Sequence, residues 1–571
     1  MTKDLGTVNG RYQLHHKLGE GGMGTVYRAT DRLTGDTVAL KQVHLSDKLQ
    51  ISDSLAPGAT EDDLRLALAH EFQILAGLRH PHIISVLDYG FDGKKRPFFT
   101  MTYLPESQNI LEAAKDQPFD RKIELIQQLL QALAYLHRRG VLHRDLKPDN
   151  VLVADGSVRL LDFGLSASGN SGSDSVGTPL YMAPELFTGQ AYSPAADLYN
   201  VGVILYQLLT GKHPFEPFDF KFLDRVLSEE PDWATVDERI RSFLAQLLAK
   251  TAEERFTTAP EALFALAAAL NQPSPPETAA IRESYLQAAK FVGREAEMTQ
   301  FIQAINQAAA GTGSAWLIGG ESGVGKTRLI SELRTRALVN GFLVLHGQAK
   351  QEGGGLPFQI WREPIRHALV ASSDVDDLTA SILLPLVPDI GQLLQREVRP
   401  APELDSRAAQ LRLFTTIGTL LQKLARPILL LLEDLHWSRE SLMPLPYLTQ
   451  QIGRQPMLLI GTYRSDEQPH LPDTLPTMKL MPLNPLTAEM MLELSAAMLG
   501  DVGRQPEVVR LLQRETEGNA FFAVEVIRAL AEQVGRLSDV GRMELPETLL
   551  PNGIHDVVQR RLARLPAATQ D

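Results

Sequence analysis

The chain has 571 residues, of which 44% are apolar and 22% charged, and its formal net charge is -13 at pH 7. It contains no cysteine, which excludes disulfides, thiolate metal sites and cysteine nucleophiles. The acidic balance argues against a general nucleic-acid-binding surface. One hydrophobic core cannot serve this length, and a prior of about 150 residues per domain predicts three or four structural units.

The sequence has no segment typical of export or membrane insertion. The N-terminus lacks the apolar stretch of a secretory signal, and no segment offers the ~18 uninterrupted apolar residues of a membrane span. The richest apolar run, residues 428–432, ends at Glu433. We therefore expect a soluble, cytoplasmic protein with no membrane or nucleic-acid partner.

The first half of the chain changes from a strand pattern to a helix pattern. Short apolar strands broken by glycine turns extend over residues 11–104, with one helical stretch at 64–78. Helical periodicity dominates residues 123–270, most clearly at 123–130 and 201–209. This pattern predicts a small strand-rich lobe followed by a larger helical lobe.

The second half has the rhythm of an α/β fold. Prolines at 273, 275 and 276 interrupt the helical pattern and predict a linker over residues 271–288. Beyond it, helical stretches alternate with apolar strands, as in a parallel sheet. The strands are predicted at 315–318, 342–346, 427–432 and 457–462, and the tail from about 486 onward is predicted to be all-helical.

A glycine-rich motif, G-x-G-x-x-G-x-V, occupies residues 19–26. Glycines at this spacing let a hairpin backbone come close to the phosphates of ATP. Lys41 follows at the distance of the next strands, so we predict that it pairs with the α- and β-phosphates and is held by Glu71. The predicted nucleotide-binding residues of this segment are Leu18, Gly19, Gly21, Gly24, Val26 and Lys41.

A polar loop at residues 143–150, His-Arg-Asp-Leu-Lys-Pro-Asp-Asn, is followed by Asp-Phe-Gly at 162–164. Asp145 is predicted to accept or orient the proton of a substrate hydroxyl, and Lys147 to neutralise charge on the transferred phosphoryl group. Asn150 and Asp162 are predicted to hold Mg²⁺, with Mn²⁺ as a substitute, because hard cations take oxygen ligands.

On these motifs, residues 12–270 resemble a eukaryotic-type serine/threonine protein kinase domain, with its α+β bilobal fold. The glycine-rich segment is similar to that of bacterial members. The resemblance implies transfer of the ATP γ-phosphate to Ser or Thr of protein substrates. It also implies that Thr178 braces Asp145, that Asp197 holds the catalytic-loop backbone, and that Arg255 forms a buried ion pair with Glu185.

The same resemblance assigns the adenine side of the site and a control segment. Met101 would be the gatekeeper, and residues 102–104, which include Tyr103, would form the hinge. Thr102 stands where members often carry an acid, but hinge recognition uses backbone groups. Arg144 beside Asp145 favours control by phosphorylation of the activation segment. The candidate acceptors are Ser171, Ser173 and Ser175; an unregulated serine-rich linker is the alternative of equal weight.

A second phosphate-binding motif, G-x-x-x-x-G-K-[ST], occupies residues 320–327. Its backbone amides and the following helix would cradle the β-phosphate, with Lys326 reaching the β- and γ-phosphates and Thr327 on magnesium. The strand at 427–432 runs into Glu433 and Asp434, which would hold magnesium and polarise a water, with their separate roles left open. The predicted phosphate-binding residues are Gly320, Gly323, Gly325, Lys326 and Thr327.

Together with residues 291–295 and 432–437, this motif resembles the AAA-like P-loop module of STAND signalling ATPases. The resemblance implies that residues 292–293 lie over the adenine and that Arg464 is a sensor of the γ-phosphate; a surface arginine is the alternative. Residues 518–522 match the helical-lid motif, except that Ala520 stands where a proline is usual. We expect an ATPase core over 289–485 and a helical lid over 486–571. We expect this lid to be cut short, since modules of this kind normally continue into a winged-helix unit.

The leading hypothesis is a serine/threonine protein kinase whose second module is a nucleotide-dependent switch or oligomerisation platform. Weak ATPase activity and self-association through that module are part of it. Two alternatives stay open at this point: a signalling scaffold whose kinase domain mainly docks partners, and an ATP-driven machine in the second module.

Overall fold

The computed structural model describes residues 5–21, 24–43, 78–92, 96–161, 179–215, 221–272, 291–349, 357–372, 374–437 and 440–534. Several predicted features lie outside these ranges, namely Glu71, Asp162, Thr178, the candidate phosphorylation sites at 171–175, most of the linker, and residues 535–571 of the lid. Within the described ranges, every helix is too short or too polar to cross a membrane.

The small lobe is built on a six-stranded antiparallel sheet in the order β1-β2-β3-β4-β6-β5. Alternation along β4 sorts its side chains between two apolar clusters, with Leu40 on one face and Ala39 and Val43 on the other. Lys41 therefore points to the face that meets the large lobe. The strands are β1 (Thr7–Val8), β2 (Tyr12–Gly21), β3 (Gly24–Asp31), β4 (Thr37–Val43), β5 (Val86–Phe91) and β6 (Pro97–Thr102).

The large lobe is mainly helical, as predicted. Its central helix, α4, is buried over nearly its whole length, and it packs against α2. A three-stranded sheet of β7 (Gln108–Asn109), β8 (Val151–Ala154) and β9 (Ser157–Leu160) carries the polar loop into the cleft. The helices are α1 (Ile110–Ala114), α2 (Phe119–Arg138), α3 (Pro184–Phe187), α4 (Pro194–Thr210), α5 (Phe222–Ser228), α6 (Glu238–Leu247) and α7 (Ala259–Ala269).

The second module has a five-stranded parallel sheet in the order β11-β12-β13-β10-β14. Both faces are buried, since Leu430 and Leu432 enter one apolar cluster and Leu429 and Leu431 the other. All four predicted strands are present. The fifth, β14, was not predicted, because it is short and three of its four residues are exposed. The strands are β10 (Ser314–Gly320), β11 (Leu343–Gln348), β12 (Ile428–Glu433), β13 (Met457–Arg464) and β14 (Lys479–Pro482).

Helices cover both faces of this sheet, and a helical lid follows it. The described part of the tail is helical, as predicted, and has its own apolar cluster. The sheet-covering helices are α8 (Glu295–Ala309), α9 (Lys326–Val339), α10 (Arg362–Ala371), α11 (Asp377–Leu383), α12 (Ile390–Leu394), α13 (Ser406–Gln422), α14 (Pro444–Gln451) and α15 (Leu471–Thr474). The lid helices are α16 (Ala488–Leu499), α17 (Pro506–Thr516) and α18 (Ala520–Val534).

Candidate functional site

The glycine-rich motif forms the hairpin between β2 and β3. Gly24 has a φ of +149°, and a Cβ there would lie 2.1 Å from the carbonyl oxygen of Gln42 on the neighbouring strand, so only glycine fits. Gly19 and Gly21 have nothing within 4 Å of the place a Cβ would take. The hairpin therefore leaves open backbone at the two positions predicted to approach phosphates.

Lys41 lies on β4, opposite Val26 on β3 and Phe99 on β6. Its side chain is almost wholly buried, and Nζ lies 5.9 Å from the centre of the Phe99 ring. A buried ammonium group is costly unless charged partners surround it. The position thus suits a lysine that pairs with an anion inside the cleft, although its predicted partner Glu71 is outside the described residues.

The hinge candidates follow directly from this sheet. Met101 is buried near the end of β6 and belongs to the apolar cluster shared with the large lobe. Tyr103 lies two residues further along the chain, and the Arg28 guanidinium lies 5.4 Å from the centre of its ring. Leu18, by contrast, is exposed on β2.

The polar loop brings three predicted catalytic and metal-binding residues together. Lys147 Nζ lies 2.8 Å from Asp145 Oδ2. Asn150 Nδ2 donates to the backbone oxygen of Asp145 at 2.7 Å and to Oδ2 at 3.1 Å. Because both bonds use the amide nitrogen, Asn150 Oδ1 is left as the oxygen that would ligate a cation.

A buried carboxylate behind this loop fixes its backbone. Asp197, in the first turn of α4, accepts hydrogen bonds from the backbone nitrogens of His143 (3.0 Å) and Arg144 (3.2 Å). It also accepts from Tyr192 Oη at 2.9 Å and His137 Nε2 at 2.8 Å. Burial raises the pKa of Asp197, but these donors and the nearby histidines outweigh it, so the pKa lies below its usual value. The predicted role of Asp197 as holder of this backbone is confirmed.

The predicted ion pair between Glu185 and Arg255 is also present. Arg255 donates from both terminal nitrogens to the two carboxylate oxygens, at 2.8 and 2.7 Å, and both side chains are buried. The guanidinium also donates to the Ala249 oxygen at 2.8 Å and lies 4.9 Å from the centre of the Tyr199 ring. Bidentate pairing of this kind satisfies both buried charges.

The second phosphate-binding motif joins β10 to α9. Gly323 and Gly325 have φ angles of +80° and +108°, which other residues rarely adopt. Lys326 Nζ donates to the backbone oxygens of Gly320 (2.7 Å) and Glu321 (2.8 Å). The lysine thus lies along the loop that would enclose a phosphate.

The two acids at the end of β12, Glu433 and Asp434, are held by β11, which the motif alone did not indicate. His346 Nε2 lies 2.8 Å from Glu433 Oε1, and Gln348 Nε2 donates to Asp434 Oδ2 at 2.9 Å. Asp434 has a φ of +62°, and its backbone nitrogen donates to Thr462 at 3.1 Å. The parallel register between β11 and β12 brings these residues together.

Arg464 ends β13, opposite Gly320 at the start of the P-loop. Its guanidinium pairs with Glu467 and lies 5.3 Å from the centre of the Trp437 ring. Burial lowers the pKa of Lys326, and Arg464 lowers it further, whereas Asp466 and Asp434 act in the opposite direction. Arg464 therefore lies beside the P-loop, and its role as a sensor of the γ-phosphate stays a prediction.

The lid motif touches the P-loop directly. Asn519 Nδ2 donates to the Ser322 oxygen at 2.8 Å, and the backbone nitrogen of Phe521 donates to the Gly323 oxygen at 3.0 Å. Asn519 Oδ1 accepts from the first backbone nitrogens of α18, at 3.1 and 3.3 Å. Asn519 and the Phe521 backbone thus join lid and loop, and neither contact requires a proline at position 520.

Residues 292–293 meet the lid as well. Val292 packs against the lid cluster, and a Cβ on Gly293 would lie 2.9 Å from Met490. The next residue, Arg294, is buried and donates to the oxygen of Val324 within the P-loop at 3.1 Å. The predicted adenine-side residues, the lid and the loop therefore lie in one place.

Comparison with known families assigns both modules. Residues 12–266 match the protein kinase domain family, and residues 290–460 match the AAA ATPase domain family. Two successive segments of the chain thus match a protein kinase domain and an AAA ATPase domain. This kinase–ATPase order is the one that the motifs predicted.

Several curated proteins are similar to the kinase domain. Serine/threonine-protein kinase 36 of Pongo abelii is 35% identical over 255 residues, which cover 43% of this chain and 18% of that protein. Probable serine/threonine-protein kinase pknA2 of Bifidobacterium longum is 34% identical over 282 residues, which cover 46% and 36%. Serine/threonine-protein kinase TIO of Arabidopsis thaliana is 36% identical over 258 residues, which cover 43% and 18%. The chain thus spans about a third or less of the length of these relatives.

Replacing Glu185 with alanine is expected to destabilise the large lobe, because it leaves Arg255 buried without its partner. The loss should be about 3–5 kcal/mol. Hydrogen exchange of the buried α4 amides in the intact chain measures it. Glu229→Ala, which removes an exposed partner 3.8 Å from Arg225, should leave that exchange unchanged. Equal exchange in the two variants would contradict the role given to the buried pair.

Gly323→Ala is expected to separate the lid from the P-loop. The added Cβ would lie 2.6 Å from Asn519 Oδ1 and 2.9 Å from Phe521 Cβ. Gly311→Ala is a matched control, since its φ is +90° but nothing lies within 4 Å of its Cβ. Both substitutions carry the left-handed strain of about 1–2 kcal/mol, but only the first clashes. Hydrogen exchange at the start of α18 should rise in Gly323→Ala alone; a rise in neither would exclude the clash.

Proposed function

We propose that this protein is an ATP-dependent serine/threonine protein kinase of a signalling pathway, regulated by a STAND-type nucleotide-binding module. The observation that carries the kinase assignment is the cluster of Asp145, Lys147 and Asn150 at 2.7–3.1 Å, held from behind by Asp197. Phosphoryl transfer needs a base, a cation and a metal ligand at this spacing.

Each residue of this cluster has a separate task. Asp145 orients the substrate hydroxyl and takes up its proton. Lys147, which is paired with Asp145, neutralises the negative charge that develops on the phosphoryl group during transfer. Lys41, on β4 of the small lobe, binds the phosphates of the nucleotide. Bound ATP with its magnesium ions supplies the phosphoryl group and the Lewis acid. Asp162 and Thr178, outside the described residues, are proposed as a second metal ligand and a brace for Asp145.

The metal sites are proposed from the donor atoms. In the kinase, Asn150 Oδ1 would ligate Mg²⁺, or Mn²⁺ in its place, together with Asp162. In the ATPase module, Thr327, Glu433 and Asp434 would do so, although His346 and Gln348 hold the two carboxylates in the present arrangement. Exchange of these partners for a cation is part of the proposed switch.

The second module is proposed to be a nucleotide-dependent switch with weak ATPase activity, which also serves self-association. Support comes from the lid, because Asn519 and Phe521 contact the P-loop where nucleotide would bind. A ligand shifts such an element only if it binds its two arrangements unequally. Since both modules depend on ATP, the proposal places the chain in the cytoplasm.

The proposed kinase activity predicts that the purified chain incorporates phosphate from ATP and magnesium into Ser or Thr. Asp145→Asn should lower the rate about 10²-fold or more, because the proton acceptor is lost. Mass spectrometry measures the sites and tests whether residues 171–178 are modified. Asp155→Asn, which removes a carboxylate in the exposed β8–β9 turn, should keep the wild-type rate. No incorporation by wild-type protein would favour the scaffold alternative instead.

The division of labour between the modules is tested by two lysine substitutions. Lys41→Met should lower incorporation to the level of Asp145→Asn, because the phosphates lose their cation in the kinase cleft. Lys326→Ala should remove nucleotide binding by the second module while the chain still phosphorylates. Phosphate incorporation is measured for both variants in the same assay, and equilibrium ADP binding is measured for each as well. Loss of all incorporation in Lys326→Ala would overturn this division.

A further inference from the structure

The two modules meet through a reciprocal set of contacts that neither motif accounts for. The β3–β4 turn of the kinase enters the ATPase module, where Leu33 packs against the apolar cluster on one face of the parallel sheet. In return, Leu338 of α9 packs against the apolar cluster of the kinase and against the other sheet-face cluster of its own module. Each module thus completes part of the other's core.

Hydrogen bonds across the same boundary are also reciprocal. Arg32 of the kinase donates to the Leu393 oxygen at 2.6 Å, at the end of α12. Arg366 of the ATPase module, on α10, donates to the Leu33 oxygen at 2.9 Å. Bonds from a charged donor to a backbone carbonyl are stronger than neutral ones and fix position and orientation. We define the docking interface as the residues that make these contacts together with two backbone neighbours: Gly10, Arg32, Leu33, Leu338, Arg366, Val370 and Leu393.

Gly10 shows how closely the backbones approach. It has a φ of +69°, and a Cβ there would lie 2.5 Å from the Val370 oxygen at the end of α10. Any side chain at this position would have to displace a backbone carbonyl of the other module. This close approach is what a specific docked arrangement requires, whereas a loose tether would not.

A charged network lies behind the docking interface. Arg11 pairs with Asp31 and with Asp88, each at 2.7 Å, and Tyr12 Oη donates to Asp88 at 2.7 Å. Burial raises the pKa of Asp88, but Arg11, Tyr12 and Arg334 of α9 outweigh it and hold the pKa below its usual value. Asp88 in the kinase network therefore interacts electrostatically with Arg334 on the helix that follows the P-loop.

Helix α9 links the P-loop to this boundary. It starts at Lys326 and has 14 residues, which makes it about 21 Å long at 1.5 Å per residue. Arg328, in its first turn, acts electrostatically on Tyr135 of the kinase, whose Oη accepts from the Arg79 backbone nitrogen at 2.9 Å. Leu338, near its other end, enters the kinase cluster. The helix that begins on the phosphate site therefore packs beside β5 of the kinase and contacts the kinase core near its far end.

We propose that the AAA ATPase module is a built-in regulatory subunit that docks on the kinase through this interface, and that α9 couples P-loop occupancy to kinase activity. The inference rests on the proposed function, since it names how that regulation reaches the kinase. The physical argument is that α9 is rigid and has contacts on both sides. A change at Lys326 that shifts the helix must change the contact of Leu338 with the kinase core.

The test is a double-mutant cycle on the rate of autophosphorylation in the full chain. Leu33→Asp places a charge in the apolar cluster of the ATPase module and should undock the modules. Thr34→Asp is the matched control, because it adds the same charge one residue later, at an exposed position of the same turn. Lys326→Ala is combined with each. Coupling typically changes a rate or affinity by about 5- to 150-fold.

We expect Lys326→Ala to change the rate by at least about fivefold in the wild-type and Thr34→Asp backgrounds, and to have no effect in the Leu33→Asp background. An equal effect in all backgrounds, or no effect in the wild type, would overturn the proposal. Because the rate of the wild-type chain is measured in the same series, failure of the kinase assignment is seen separately as no activity at all.

A second variant and a second measurement guard against misfolding. Arg32→Ala removes the bond to Leu393 without placing a charge in the core, and it should weaken the coupling in the same direction. Hydrogen exchange at residues 78–82 with and without ADP does not depend on catalysis. ADP should change this exchange in wild-type protein more than in Lys326→Ala, since only the P-loop differs; an identical change would count against a path through α9.

Discussion

Charges buried in the large lobe must be fully paired, and the position of the catalytic loop depends on that requirement. Asp197 lies beneath the loop and accepts from two of its backbone nitrogens, one of which belongs to Arg144 with a φ of +66°. Such a backbone costs about 1–3 kcal/mol and persists only when its surroundings hold it. The buried Glu185–Arg255 pair anchors the segment before α4 in the same way.

The two nucleotide sites use glycine for different physical reasons. In the kinase hairpin, Gly24 is required by a neighbouring strand, while Gly19 and Gly21 keep the backbone open. In the P-loop, Gly323 is required by the lid, because Asn519 and Phe521 occupy the space of a side chain. The first site is shaped within one sheet; the second is completed by residues almost 200 positions away.

The docking interface gives these two sites a physical connection. Leu33 and Leu338 each pack against the apolar cluster of the other module, so separation of the modules would expose apolar surface on both sides. Helix α9 has a double role, since its first residue serves the P-loop and its later residues contact the kinase. The proposed coupling depends on this shared helix, because packed side chains and rigid secondary elements carry energetic coupling between distant sites.

The sequence by itself located both predicted nucleotide sites, because phosphoryl chemistry needs particular residue types at short spacing, as in Asp145, Lys147 and Asn150. Strong apolar periodicity likewise predicted the four longer strands of the parallel sheet, whereas β14, which is short and exposed, lacked the pattern. Only the tertiary structure decided which residues bond to the acids at the end of β12: His346 contacts Glu433, and Gln348 contacts Asp434. Only the tertiary structure, likewise, placed Leu33 and Leu338 against the apolar clusters of the opposite modules. These contacts join residues that are distant in the chain, and no local spacing constrains them.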